Sequence, residues 1–215
     1  MPEKGRFIVV EGLEGAGKST ALATIKHVLE RQVPAIITTR EPGGTRVGEV
    51  ARQLIKESSS QEPLDSRAEL LLLYASRVQL IQHIILPALN RGDWVLADRF
   101  ELSTWAYQGG GRKLSEDMIQ HLSSFCLQDF KPDLIIFLDI SPQIGLKRAR
   151  MRSKADRIEK ESLSFFTNVY HSYHERIKTM SNVVVIDASK PLRVVHRCIE
   201  EALKSYLQSL TCLNS

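Results

Sequence analysis

The chain has 215 residues, 43% of them hydrophobic, and a formal net charge of +4. That length fits one domain of ordinary size with a substantial buried core, and residues 1–215 are read as one domain. No apolar run approaches the ~20 residues of a membrane span, the start Met1-Pro2-Glu3-Lys4-Gly5 lacks a signal-peptide core, and the three cysteines are not spaced for zinc or a disulfide framework, so a cytoplasmic protein with no membrane partner is expected.

Five short runs rich in Val, Ile and Leu occur at 7–10, 35–39, 94–97, 134–139 and 183–187. They read as strands buried on both faces. Helical stretches are expected near 18–31, 47–57, 66–90, 115–127, 142–152, 160–180 and 191–209. Ser115 and Ser141-Pro142 look like helix starts, and Asn90-Arg91-Gly92-Asp93 looks like a helix stop. The alternation predicts an α/β fold, a five-stranded parallel sheet flanked by helices. In such sheets ligands sit beyond the carboxyl ends of the strands.

The first strand leads directly into Gly12-Leu13-Glu14-Gly15-Ala16-Gly17-Lys18-Ser19-Thr20. This is the G-x-x-x-x-G-K-[ST] phosphate loop between a strand and a helix, which makes the fold a P-loop NTPase. Its backbone N–H groups form an anion cradle, to which the helix adds its positive end. Lys18 reaches the β- and γ-phosphates, and the Ser19 hydroxyl binds Mg²⁺. One substrate is therefore a nucleoside triphosphate. No Asn/Thr-Lys-x-Asp run for reading guanine and no second nucleotide loop occur in the sequence, so the triphosphate is expected to be a donor to a second substrate.

The other strand ends supply further candidates. Asp98 has the placing of a Walker-B-like acid that holds Mg²⁺ or its water shell, or of a cap for the next helix. Arg99 beside it suits a phosphate, or a neighbouring carboxylate. Arg40, Glu41 and Pro42 begin a Pro-Gly-Gly turn that exposes backbone to a ligand. Arg77, on an otherwise apolar helix, either snorkels to water or projects into the cleft. Thr104, Tyr107 and Gln108 lie about one helical turn apart and could read a base edge, although the glycines that follow also suit a helix end. Residues 147–160 hold seven basic and two acidic residues, which leaves the rest of the chain at −1. A local cluster suits a polyphosphate better than a nucleic-acid duplex, and no nucleic-acid partner is expected.

In order along the chain stand Glu11 to Ser19, Thr39-Arg40-Glu41-Pro42-Gly43-Gly44, Asp98-Arg99-Phe100, Ala106-Tyr107-Gln108-Gly109 and Asp156-Arg157-Ile158-Glu159. This set resembles the thymidylate kinase family, from about Arg6 to the last helix. The resemblance implies transfer of the γ-phosphoryl group of ATP to dTMP, Mg²⁺ as cofactor, and a homodimer formed through helices. It implies that Glu14 lies near the 3′-hydroxyl of the monophosphate, and that Arg40, Arg77 and Arg99 surround its phosphate and base. Arg52 and Gln108 then read thymine, and Tyr107 crowds C2′. Some members carry an arginine at the position of Gly15. This chain resembles those that place arginines in a mobile lid instead, here 147–160, with Arg148 and Arg152 the candidates to join Lys18 and Arg99 in catalysis. They are four residues apart and can share one helix face. Leu73 stands where many relatives have a phenylalanine that stacks on thymine, so a looser base pocket is expected. Two other readings are a kinase for another pyrimidine monophosphate such as dUMP, and an ATP-dependent switch without a phosphoryl acceptor.

Overall fold

The computed structural model describes residues 4–57, 61–151 and 156–213. Five strands, β1 (Phe7–Gly12), β2 (Ile36–Arg40), β3 (Trp94–Asp98), β4 (Leu134–Asp139) and β5 (Val183–Asp187), form one parallel sheet in the order β2-β3-β1-β4-β5. β1 pairs with β3 and β4 in the middle, with Val10 opposite Asp98 and Ile136. Every residue of β1 is buried, as a central strand covered on both faces must be. β1 and β3 run on past the expected ends at Val10 and Ala97, because Glu11, Gly12 and Asp98 stay within the ladder.

The helices are α1 (Lys18–Leu29), α2 (Arg46–Lys56), α3 (Ser66–Leu80), α4 (Leu86–Asn90), α5 (Glu101–Thr104), α6 (Glu116–Leu127), α7 (Pro142–Arg150), α8 (Leu163–Ile177) and α9 (Leu192–Leu213). A π-helical turn, Ile81–Ile85, joins α3 to α4, so the expected helix over 66–90 is continuous. It is long and apolar enough to cross a bilayer by length and composition. Here it is a core helix: Leu70, Tyr74, Leu80, Ile81, Ile85 and Leu89 join the buried cluster, and Arg77 and Glu69 on it are buried among partners. Local chemistry sets several starts. Thr45 accepts a hydrogen bond from the Gly48 N–H at α2, Asp65 from Arg67 N–H at α3, and Ser162 from Phe165 N–H at α8.

A second π-helical run, Trp105–Gly111, extends α5 and was not among the expected helices. Its three glycines are not a helix stop. A Cβ on Gly110 would lie 2.5 Å from the Ser172 side chain, and one on Gly111 2.5 Å from the Phe165 ring. They let α8 pack closely on this run, and that packing holds Tyr107 and Gln108 at the carboxyl edge of the sheet.

Candidate active site

The phosphate loop closes between β1 and α1. Gly17 occupies the N-cap of α1 in the left-handed region (φ 94°) and brings no side chain to cap it. The first N–H groups of a twelve-residue helix therefore remain for an anion. Gly15 (φ 75°) faces α7, where a Cβ would stand 2.0 Å from the Gly145 carbonyl oxygen. No arginine can be carried at position 15 without moving that backbone, which explains the absence of a loop arginine in physical terms.

Lys18 folds back over the loop and donates to the Gly12 and Leu13 carbonyls, each at 3.0 Å. Burial, with the Arg99 guanidinium near it, pushes its ammonium down to about 8, against the pull of Asp98 and Glu14. Leu13 and Ala16 turn their side chains into the core, so they can serve a phosphate only through their backbone. Ser19 and Asp98 line the same cleft as Lys18. Asp98 Oδ1 is buried with no hydrogen-bond partner among the described residues. An orphaned carboxylate oxygen in the same cleft as a loop hydroxyl fits Mg²⁺, which takes one or two protein oxygens and keeps its other positions for water and phosphate.

Arg99 follows β3 at φ 71°, an unfavourable conformation for a residue with a side chain. It places the guanidinium between the loop and the helices. The group donates to Glu14 Oε1 (2.6 Å), Ser103 Oγ (3.0 Å), Tyr107 Oη (3.1 Å) and Tyr173 Oη (3.2 Å). The Tyr107 hydroxyl donates in turn to Glu14 Oε2 at 2.5 Å. Burial pushes the phenols of Tyr107 and Tyr173 well above their ordinary value, so both remain neutral donors. Glu11, fully buried beneath, accepts from the Phe100 and Ser103 N–H groups and from the Ser103 and Tyr173 hydroxyls, which fixes this corner.

Arg77 does not snorkel. It is 1% exposed, donates through Nε to Glu41 Oε2 at 2.7 Å and through Nη2 to Thr104 Oγ1 at 2.8 Å, and packs over the Tyr74 and Phe100 rings. Its Nη1 and Glu41 Oε1 are buried without a partner among the described residues. Burial pushes the Glu41 carboxyl up, to about 7, against the attraction of Arg77. Arg52 donates to the Pro42 carbonyl at 3.0 Å. Pro42, Arg52, Leu73, Arg77, Thr104 and Gln108 thus line one wall of an open cleft that runs to Lys18 and Arg99. Leu73, half-buried, presents an apolar face to it.

Two expected residues lie elsewhere. The Arg40 guanidinium is half exposed and paired with Glu49 of α2 at 2.9 Å, outside the cleft lining. The cause is local: Glu49 also accepts from the Gly44 N–H, so the turn and the start of α2 close on each other and capture Arg40. Arg148 sits on α7 and donates to the Ala188 carbonyl at 2.9 Å. It lines a second cleft with Gly17, Thr20 and His196, separate from the one lined by Arg77 and Gln108. α7 ends at Arg150, short of the expected 152, and Arg152 lies outside the described residues.

Several cleft residues were not among the sequence candidates. Ile55, Lys56, Ser103, Asp156, Ile158 and Glu159 line it. Asp156 pairs with Lys56 at 2.8 Å, and Arg157 donates to the Ile55 carbonyl at 2.7 Å. The run 156–159 is therefore seated on α2 and forms part of the cleft wall. The run Asp156-Arg157-Ile158-Glu159, one of those that carry the family resemblance, was the only sequence signal for it.

A phosphate loop with a lysine folded over it, an unpartnered acidic oxygen and three arginines in the same cleft defines a P-loop phosphotransferase of the nucleoside monophosphate kinase class. The family model described as Thymidylate kinase matches residues 10–199. The chain is 52% identical over 204 residues to a thymidylate kinase of Legionella pneumophila (strain Corby), an alignment covering 95% of this chain and 96% of that protein. It is 48% identical over 205 residues to a thymidylate kinase of Vibrio parahaemolyticus serotype O3:K6 (strain RIMD 2210633), covering 95% and 98%. The chain belongs to the thymidylate kinase family and is an enzyme.

Proposed function

We propose that the chain transfers the γ-phosphoryl group of ATP to dTMP, giving ADP and dTDP. The observation that carries this reading is one continuous cleft from Lys18 and Arg99 to the Arg77–Gln108 wall. It has room for a donor phosphate at one end and a base at the other. The family and the names of its relatives agree with it and favour neither a dUMP-preferring kinase nor a switch.

In this reading the triphosphate lies on the 12–20 loop, and Arg148 faces the donor nucleotide. A phosphate oxygen of dTMP attacks the γ-phosphorus in line, ADP leaves, and no covalent enzyme intermediate forms. Lys18 and Arg99 stabilise the charge that spreads over the transferring oxygens. Ser19 and Asp98 would hold Mg²⁺, which would neutralise the β- and γ-phosphate charge. Glu14, held by Arg99 and Tyr107, is placed for the sugar, and the base meets Leu73, Arg77 and Gln108. Residues 1–215 act as one kinase domain with a lid at about 147–160. The enzyme works in the cytoplasm on ATP and dTMP, with no nucleic-acid or membrane partner. It forms a homodimer, for which Val47, Val50 and Leu54 offer an exposed apolar stripe on α2. Phosphorus NMR of the protein with Mg²⁺-ATP and dTMP tests the activity: equal amounts of ADP and dTDP are expected, and free phosphate in place of dTDP would overturn it.

A further inference from the structure

Glu69 is a fully buried carboxylate that none of the roles above uses. It lies on α3, four residues before Leu73 and eight before Arg77, so all three share one helix face. Its Oε1 accepts from the Gln108 side-chain N–H at 2.5 Å and from Arg112 Nε at 3.3 Å. Its Oε2 accepts from Arg112 Nη2 at 3.3 Å and from Arg157 Nη2. Burial pushes its carboxyl up, but the Arg157, Arg112 and Gln108 contacts outweigh burial and hold it below the ordinary value. The two arginines come from distant parts of the chain. Arg112 follows the π-helical run that carries Gln108 and also binds Glu161, whereas Arg157 belongs to the 147–160 segment and also binds the Ile55 carbonyl.

The Gln108 contact has a chemical consequence. An amide has a donor end and an acceptor end, and an unrestrained side chain can present either. Glu69 can only accept, so it holds the nitrogen end and leaves the carbonyl Oε1 for the cleft. The neighbouring Arg77 Nη1 is a buried donor without a partner among the described residues. A donor beside an acceptor matches a ring that shows a carbonyl next to an N–H, as thymine does. With the contacts kept in the same order it mismatches cytosine, which shows an amino group where thymine shows the carbonyl and a bare nitrogen where thymine shows the N–H. We infer that Glu69 is a positioning residue for base choice: it fixes the polarity of the Gln108 amide, and through Arg157 it makes that polarity depend on the seating of the 156–159 run against α2. This rests on the reading of Gln108 as a base contact.

The test compares wild type, Glu69→Gln, Arg157→Gln and the double variant Glu69→Gln with Gln108→Glu, using dTMP and dCMP as acceptors and thermal melts as the check of folding. In Glu69→Gln the amide can turn, so the preference for dTMP over dCMP in kcat/KM falls by about tenfold, the scale of one lost oriented hydrogen bond. The loss appears in KM for dTMP, with kcat changed by less than about threefold, because Gln108 is remote from the transferring phosphoryl group. In the double variant a carboxylate presents an acceptor whichever way it turns, so the preference returns although Glu69 is absent. A merely structural role would not give that recovery. If Glu69→Gln does not fold, Arg157→Gln, which leaves the buried carboxylate in place, carries the test and is expected to lower the same preference. A folded variant whose preference is unchanged, or one that loses both acceptors equally, overturns the inference. A wild type without dTMP-dependent ADP formation would instead overturn the proposed activity.

Discussion

Replacing Lys18 by methionine should stabilise the nucleotide-free protein while destroying its turnover. Burial and Arg99 bring the Lys18 ammonium from its ordinary 10.5 to about 8. The unfolded chain holds that proton up to 10.5, whereas the folded chain begins to release it near 8. Between these values the folded state binds fewer protons, so stability rises with pH, and at pH 7 the whole cost of holding the charge is present. The difference corresponds to about 3 kcal/mol. Two effects reduce it: the side chain keeps some contact with water, which screens the charge, and methionine forfeits the hydrogen bonds to the Gly12 and Leu13 carbonyls. A net gain of about 1–2 kcal/mol remains at pH 7, or roughly 3–6 °C in Tm for a chain of this size. Thermal melts at pH 7 and at pH 10.5 measure it. The variant should melt higher at pH 7, the gap should shrink at pH 10.5, and Mg²⁺-ATP should raise the wild-type Tm far more than that of the variant. A variant that melts lower than wild type at pH 7, or a gap equal at both pH values, would refute the reasoning.

Other substitutions probe other parts of the site. Leu73→Phe should lower KM for dTMP by about threefold or more, because an aromatic face adds stacking to the apolar contact; an unchanged KM removes Leu73 from the base pocket. Arg148→Ala should raise KM for ATP about tenfold and leave KM for dTMP within about twofold, since its guanidinium lies beside Gly17 and Thr20 and not in the acceptor cleft. A larger effect on dTMP than on ATP would place it wrongly. Val50→Glu puts a charge in the exposed stripe of α2 and should convert a dimer to single chains in sedimentation; an unchanged mass moves the interface elsewhere.

The strands and the phosphate loop were legible because each depends on local pattern: buried runs of Val, Ile and Leu, and glycines where the chain must turn tightly. Their lateral order was not, since nothing in a single strand states its neighbour. The helix over 101–111 was hidden because Gly109-Gly110-Gly111 read as a stop, whereas Gly110 and Gly111 make room for Ser172 and Phe165 more than 50 residues away. Arg77 left two readings open, and only the position of Glu41 settled them, across 36 residues of chain. The pairing of Arg40 was hidden for the same reason, because its partner Glu49 belongs to the next helix. Glu69 gave no signal at all. A single acid near the start of a helix looks like a favourable charge for the helix dipole, and its partners at 108, 112 and 157 are brought in by the fold.

The central claim is acceptor-dependent phosphoryl transfer to dTMP. The most direct measurement is ADP formation from Mg²⁺-ATP with dTMP, dUMP, dCMP, dGMP and dAMP supplied one at a time, beside a reaction with no acceptor. Strong ADP formation with dTMP, weaker with dUMP and near the acceptor-free level with the other three, is the predicted result. ADP formation equal with and without acceptor, or stronger with another monophosphate than with dTMP, would contradict it.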